Sequence, residues 1–238
     1  MQRTVRITWH GHSCFTLDDG RHVLALDPYD PGMIGYPPLK IKAHAMLASH
    51  GHGDHNYRSA VQFLPASGEV LRQVAALPEN GAASATSAAA ASQPDSPYLY
   101  RTVETSHDEP DGSKRGRNTV HVILANGLRI VHLGDLGHCL SAEQAAAIGR
   151  PDLLLIPVGG YYTIDAAAAC AVINQLQPAN IAPMHYQIGY GNLPIAKVES
   201  FLSLAAANWE IRKLAGPTLE LTGQMCGLCC VFHYQAAI

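Results

Sequence analysis

The run His50-Gly51-His52-Gly53-Asp54-His55 packs four metal-competent side chains into six residues, directly behind the apolar segment Ala45-Met46-Leu47-Ala48. In an extended segment His50 and His52 point the same way, and a turn over Gly51 to Gly53 lets Asp54 and His55 reach round from a helix start. One loop can therefore serve two neighbouring metal ions. Imidazole and carboxylate suit zinc, iron or manganese better than they suit the soft thiolate sites of small zinc modules, so the run points to a catalytic metal centre. The strand-like segment in front of it supplies the context that such a motif needs.

The rest of the composition narrows the class. At 238 residues the chain is read as one domain, 1–238, and 47% hydrophobic residues with a formal net charge of -3 describe a soluble globular protein. No broad positive field is available for long nucleic acid. The N-terminus lacks the apolar core of a signal peptide, and no apolar stretch is long enough to cross a bilayer, so the expected address is cytoplasmic and no membrane partner is expected. A homo-oligomer stays open. The cysteines, Cys14, Cys139, Cys170, Cys226, Cys229 and Cys230, are scattered and are expected as free thiols. One Cys-X-X-Cys in the tail, without a second pair, is expected to pack as apolar residues or form a loosely ordered end rather than bind metal.

Residues 5–9, 14–17 and 22–26 read as consecutive antiparallel strands, with Asp18-Asp19-Gly20 as a turn. A Pro/Gly-rich loop over 28–38 then leads to a strand at 45–49. The pattern predicts short helices over 57–64 and 69–77. An Ala/Ser-rich stretch at about 78–97 has no sustained apolar stripe and is read as an irregular insertion. Beyond it come a strand at 98–104, a polar loop at 107–117, and a hairpin of 119–125 and 128–132 about Asn126-Gly127. A Ser-capped helix over 141–148, a buried strand at 153–157, an Asp165-capped helix to 176 and a strand at 180–183 follow. A helix over 195–207 and strands at 211–214 and 219–221 complete the chain. Hairpins first and β-α-β units later suggest two sheets packed face to face with helices outside, an α/β (α+β) architecture.

Candidate ligands, in order, are His50, His52, Asp54, His55, His107, Asp135 in Leu133-Gly134-Asp135, and His185 in Pro183-Met184-His185-Tyr186. This set and its order resemble the metallo-β-lactamase superfamily, whose fold is a four-layer αββα sandwich with a metal site at one edge. His10-Gly11-His12-Ser13, the run His132 to Gly137, and Ile156-Pro157-Val158-Gly159-Gly160 are similar to its branch of metal-dependent hydrolases related to L-ascorbate-6-phosphate lactonase. The resemblance implies one divalent ion held by His50, His52 and His107 and a second by Asp54, His55 and His185, with Asp135 bridging. It also implies that Asp27, at a strand end, supports the His-rich loop from behind.

Zinc or manganese is the expected pair, with iron possible, and hydroxide between the ions is the expected nucleophile. Asp54, Asp135 and His12 are the candidate catalytic residues. His12 or His138 could orient substrate or give up a proton, or be structural. His22, His44, His121, His132 and His233 are expected to be non-ligands. Lys114, Arg115 and Arg117, in the basic loop 112–118, and Tyr161 are candidates for gripping an anionic small-molecule substrate. The expected reaction is hydrolysis of a small anionic lactone or another ester or amide. The competing readings are a phosphodiesterase for small phosphodiesters and an iron-dependent oxidoreductase on the same scaffold.

Overall fold

The computed structural model describes residues 3–77, 97–108 and 113–236, so nearly all of the 78–97 insertion lies outside the described residues. Alternation sets the first sheet. Val5, Ile7 and Trp9 of Thr4–Trp9 (β1) are buried while Arg6 faces out. β1 pairs antiparallel with Phe15–Asp18 (β2), which pairs antiparallel with Val23–Leu26 (β3). The turn between β2 and β3 is held by its own carboxylates. Gly20 N–H donates to Asp18 Oδ1 at 2.8 Å, and the N–H groups of Arg21 and His22 donate to Asp19 Oδ1 at 2.9 and 2.8 Å. Thr218–Thr222 (β14) borders β1, and Ala45–Leu47 (β5) lies parallel to β3, giving the order β14-β1-β2-β3-β5.

The second sheet is larger. It runs Glu210–Lys213 (β13), Leu228–Val231 (β15), Asn180–Met184 (β12), Leu153–Pro157 (β11), Leu128–His132 (β10), Arg117–Ala125 (β9), Tyr98–Ser106 (β8) and Leu71–Gln73 (β7). β9 and β10 form the expected hairpin, with Asn126 and Gly127 both left-handed at φ 48° and 73°, as a type I′ turn requires. β10, β11 and β12 are parallel and buried throughout, as near-continuous apolar strands between two covered faces should be. Their crossovers are Ala142–Ile148 (α2), opened by a Ser141/Gln144 capping box, and Ala166–Leu176 (α3), opened by Asp165. Pro31–Ile34 (α1) and Glu199–Ala205 (α4) are the other helices among the described residues. Ile7, Leu17 and Leu26 of the first sheet share one core with Ile123, Ile130 and Leu155 of the second, and Val172 and Phe201 join from the helices. The result is the expected αββα sandwich.

Three expectations are corrected. Residues 57–64 are not a helix: after a 3-10 turn at Arg58–Ala60, Val61–Phe63 (β6) pairs parallel with Ile41–Ala43 (β4), an unexpected strand. The β-branched Val61 fits that pairing, and Leu64 N–H extends it to Ala43 O at 2.8 Å. Residues 69–77 are not a helix either, because β7 adds to the edge of β8. The helix expected over 195–207 shrinks to α4, since Ala196 spends its backbone on Gly159 O and Gln187 N–H at 2.8 and 3.0 Å. The cysteine tail takes the first of its two expected forms, apolar packing. Cys229 and Cys230 are fully buried in β15, an interior strand, and all six cysteines are unpaired.

Among the described residues no helix is long and apolar enough to cross a membrane. The site-forming loops leave the sandwich at the C-terminal ends of strands. His12 follows β1, Asp27 follows β3, His50 to His55 follow β5, His107 follows β8, Asp135 follows β10 and His185 follows β12.

Candidate metal centre

Six histidines and two aspartates converge at these strand ends. Asp135 Oδ2 lies 3.2 Å from His55 Nε2, 3.2 Å from His107 Nε2 and 3.4 Å from His185 Nε2. The ligand atoms of His50, His52 and His107 lie within 4.8 Å of one another, and so do those of His12, His55 and His185. Asp135 is thus placed between two groups, as a bridging carboxylate must be. Asp54 Oδ2 is 3.7 Å from His55 Nε2 and 3.6 Å from His12 Nε2. His50 and Asp54 are half-buried and His52 is exposed, while His12, His55, His107, Asp135 and His185 are buried, so the cluster opens on one side.

The electrostatics show what the cluster wants. Burial works to raise the Asp135 carboxyl, but the charges of His185 and His55 and hydrogen bonds from His107 and His185 hold it well below the usual carboxylate range. Burial works to lower His55, but Asp135 and Asp27 outweigh it and raise the imidazole well above its ordinary value. Burial likewise opposes the rise of His107, which Asp135 wins. Protons are drawn to the places where a cation would sit. His50 Nε2, His55 Nε2 and Asp135 Oδ1 are buried without a hydrogen-bond partner, which groups facing one another across the cluster should be if they serve metal ions. The residues fit two divalent ions.

Asp27 supports this loop as expected. Its Oδ2 accepts from His55 Nδ1 at 2.7 Å and from Ser49 Oγ at 2.6 Å, and its Oδ1 accepts from Ser49 N–H at 2.7 Å. Ser49 Oγ in turn accepts from His50 Nδ1 at 2.9 Å, so one carboxylate fixes the tautomer of two candidate ligands and turns each Nε2 toward the cluster. Asp27, His12 and His185 hold left-handed backbones at φ 45°, 52° and 52°, a strain of about 1–3 kcal/mol each for such residues. His185 N–H and Trp9 Nε1 both donate to His12 O, at 3.1 and 3.0 Å, which locks the two strained histidines together. Two glycines permit the close approach: a Cβ on Gly159 would lie 2.2 Å from His185 O, and one on Gly137 2.4 Å from His107 O.

Residues 6–185 match the family model described as Beta-lactamase superfamily domain. The chain belongs to that superfamily. It is similar to UPF0173 metal-dependent hydrolases of Thermoplasma acidophilum (30% identity, 76% of this chain and 83% of the relative) and Thermoplasma volcanium (31%, 76% and 83%). A metallo-beta-lactamase superfamily structure from Thermotoga maritima aligns over 97% of this chain and 100% of its own with a TM-score of 0.68 at 30% identity. Igni18, a metallo hydrolase of Ignicoccus hospitalis, shares the fold at 20% identity and a TM-score of 0.60 over 93% of this chain and 99% of its own. On this superfamily fold the clustered His/Asp side chains form a candidate site for two divalent metals.

The other expected residues divide. Arg115 and Tyr161 come together, the guanidinium carbon lying 5.8 Å from the Tyr161 ring centre and 5.2 Å from that of Tyr162. Tyr161 is exposed. Lys114 is exposed, and its backbone N–H, like that of Arg115, donates to Asp108 Oδ2 at 2.8 and 3.1 Å. Asp108 is thus the clasp of this loop. Arg117 points elsewhere, into a 510 Å³ groove with Glu104, His138 and Gln144, so the three cations do not share one target. His138 is structural: its Nε2 accepts from Ser106 N–H at 3.1 Å and its Nδ1 donates to Cys139 O at 2.7 Å.

His132 is also structural, bonding Ser13 O at 2.8 Å and Gly134 N–H at 3.1 Å. Two site residues escape sequence reasoning. Ser49 is one, and its only signal is adjacency to His50. Asn118 is the other: its Oδ1 accepts from Asp135 N–H at 2.9 Å while its Nδ2 donates to Leu133 O at 2.9 Å and Thr105 Oγ1 at 2.8 Å.

Proposed function

We propose that the protein is a dinuclear metal-dependent hydrolase acting on a small anionic lactone or a related ester or amide. The observation that carries this reading is Asp135, whose one carboxylate oxygen lies within 3.4 Å of an imidazole nitrogen from both histidine groups. His50, His52 and His107 would hold one divalent ion and Asp54, His55 and His185 the other, zinc or manganese by their donor chemistry. Bound there, such ions supply a water of lowered pKa and a Lewis acid for the carbonyl.

The chain's own residues do the rest. Asp27 and Ser49 engage Nδ1 of His55 and His50 and so aim each Nε2 inward, where a metal ion would take the place of a proton. Burial works against ionisation of Asp54, but the nearby imidazoles of His12, 3.6 Å away, and His55 hold its carboxyl below the usual range, so it is an ionised proton acceptor at the mouth. Arg115, braced against Tyr161 and Tyr162, presents a cation to an anionic group of the substrate. The resemblance of His10-Gly11-His12-Ser13 and Pro183-Met184-His185-Tyr186 to the lactonase-related branch favours a cyclic ester, and unpaired cysteines suit a cytoplasmic address.

The test is metal content on protein purified without chelator, with turnover of lactones, esters and small phosphodiesters beside Asp135→Asn. Two equivalents of zinc or manganese with lactone or ester turnover abolished in the variant is the expected result. Turnover confined to phosphodiesters would reassign the bond, and iron with an oxygen requirement would reassign the reaction to oxidation.

A further inference from the structure

His12 belongs to neither expected ligand set, yet its surroundings are those of a ligand. Its ring is fully buried, and both ring nitrogens lack a hydrogen-bond partner. His10, two residues earlier, is satisfied by Thr16 Oγ1 at 3.0 Å, so the same bend can bond an imidazole when the role is structural. His121 is also buried with orphaned nitrogens, but among the described residues it joins no cluster of metal-competent side chains. His12 does. Its ring centre lies 4.2 Å from that of His185 and 5.0 Å from that of His55, and its Nε2 is 3.6 Å from Asp54 Oδ2.

Three imidazoles and a carboxylate facing one another in a buried space leave lone pairs with nothing to accept unless a cation lies between them. The backbone is built to keep them there. His12 and His185 come from the ends of strands in different sheets, both left-handed, joined by the hydrogen bond from His185 N–H to His12 O. Neither can swing away alone.

We propose that His12 is a direct ligand of the metal ion at Asp54, His55 and His185. On the dinuclear reading, with which this inference stands, the buried site then carries His12, Asp54, His55 and His185 plus a share of Asp135, against His50, His52 and His107 plus that share on the open side. The buried site fills first and keeps its ion. Vacant coordination positions and metal exchange belong to the side of the exposed His52.

The experiment uses metal-free full-length protein labelled with ¹⁵N-histidine and titrated with zinc, following each imidazole nitrogen by long-range proton–nitrogen correlation. The first equivalent is expected to move His12 Nε2 to the metal-bound position together with those of His55 and His185, before His50, His52 and His107 respond. His12→Asn, a residue that tolerates a left-handed backbone, is expected to lose more than 100-fold in affinity for the first equivalent. That exceeds the about 10–100-fold that losing a supporting outer contact costs. His52→Ala is expected to weaken only the second.

An Nε2 of His12 that keeps its metal-free position in fully loaded protein overturns the inference, as does His12→Asn binding within 100-fold of wild type. Should that variant not fold, the wild-type spectrum decides alone. Two equivalents bound with His12 unmoved would leave the dinuclear reading standing. Saturation at one equivalent with His12 moved would sink the dinuclear reading and keep His12 as a ligand.

Discussion

The two histidine groups are held by opposite means. His12 and His185 are fixed through the main chain, by left-handed backbones tied to each other and to Trp9. His50 is fixed through side chains, by Ser49 and behind it Asp27, and His52 stands exposed beside it. Main-chain fixation leaves no room for adjustment, whereas a side-chain relay can yield by a rotamer. The buried group is therefore suited to holding an ion without change, and the open group to chemistry in which ligands come and go. His55 is the hinge between the two, since Asp27 anchors it directly.

The largest expected effect removes the feature the groups share. Asp135→Asn should lower kcat/KM by at least about 10³-fold, because losing the anion between two dications forfeits several kcal/mol of charge stabilisation. Metal analysis on the same protein should show fewer than two equivalents.

Next comes the relay. Asp27→Asn should weaken metal binding at both groups by about 10–100-fold, whereas Ser49→Ala should do so only at the His50 group. Equal losses from both variants in a competition titration with a coloured chelator would break the contrast between the two modes of support.

The glycine contacts allow each group to be disturbed alone. Gly159→Ala drives a methyl into His185 O and Gly137→Ala drives one into His107 O, each costing about 1–3 kcal/mol of stability by overpacking. Calorimetry with and without zinc should show the first variant losing stabilisation by the first equivalent of metal and the second variant losing it by the next.

His121 provides a reference outside both groups. Burial lowers its pKa to about 4, against about 6.5 in an unfolded chain. Between those values the unfolded state takes up a proton that the folded state refuses, so metal-free protein should lose stability as pH falls through this window. The loss attributable to this residue is up to about 3 kcal/mol. Urea unfolding of His121→Leu across pH 4 to 7 should show a shallower slope than wild type. An unchanged slope would mean that the histidines of the two groups carry the whole acid response.

The smallest effect is at the rim. Arg115→Ala should raise KM for an anionic substrate by roughly fivefold with kcat held, as befits about 1 kcal/mol from a partly exposed charge. A fall in kcat would place Arg115 inside the reacting cluster rather than beside it.

Much of this site is legible in the sequence because its ligands lie within one short run or directly after apolar strands. Asp135 and His185 declare themselves by following the buried runs of β10 and β12, and the hairpin before Asp135 is announced by Asn126-Gly127. The hidden parts depend on tertiary pairing. Residues 61–63 and 71–73 are short and without strong alternation, and only the partners at 41–43 and 98–100 make them strands. His12 is obscure for a related reason: a histidine in a bend carries no sign of which sheet it will meet. The basic loop misleads in a third way. Adjacent cations in sequence suggest one anion site, but strand β9 begins within the loop, and Arg117 lines the groove with Glu104 and His138 while Arg115 lies against Tyr161 and Tyr162.

The position of β15 bears on how the molecule comes into being. This strand, formed by residues 228–231, lies between β12 and β13 and pairs parallel with both. During synthesis β13 has no neighbour in the sheet until these late residues emerge, and Asn180, whose side chain bonds Met225 O and Leu228 N–H, waits for them too. The strand that delivers His185 thus keeps one naked edge while residues 185–227 are added. A nascent protein halted before residue 228 would carry every candidate metal-binding side chain and still expose an open β-edge to its neighbours.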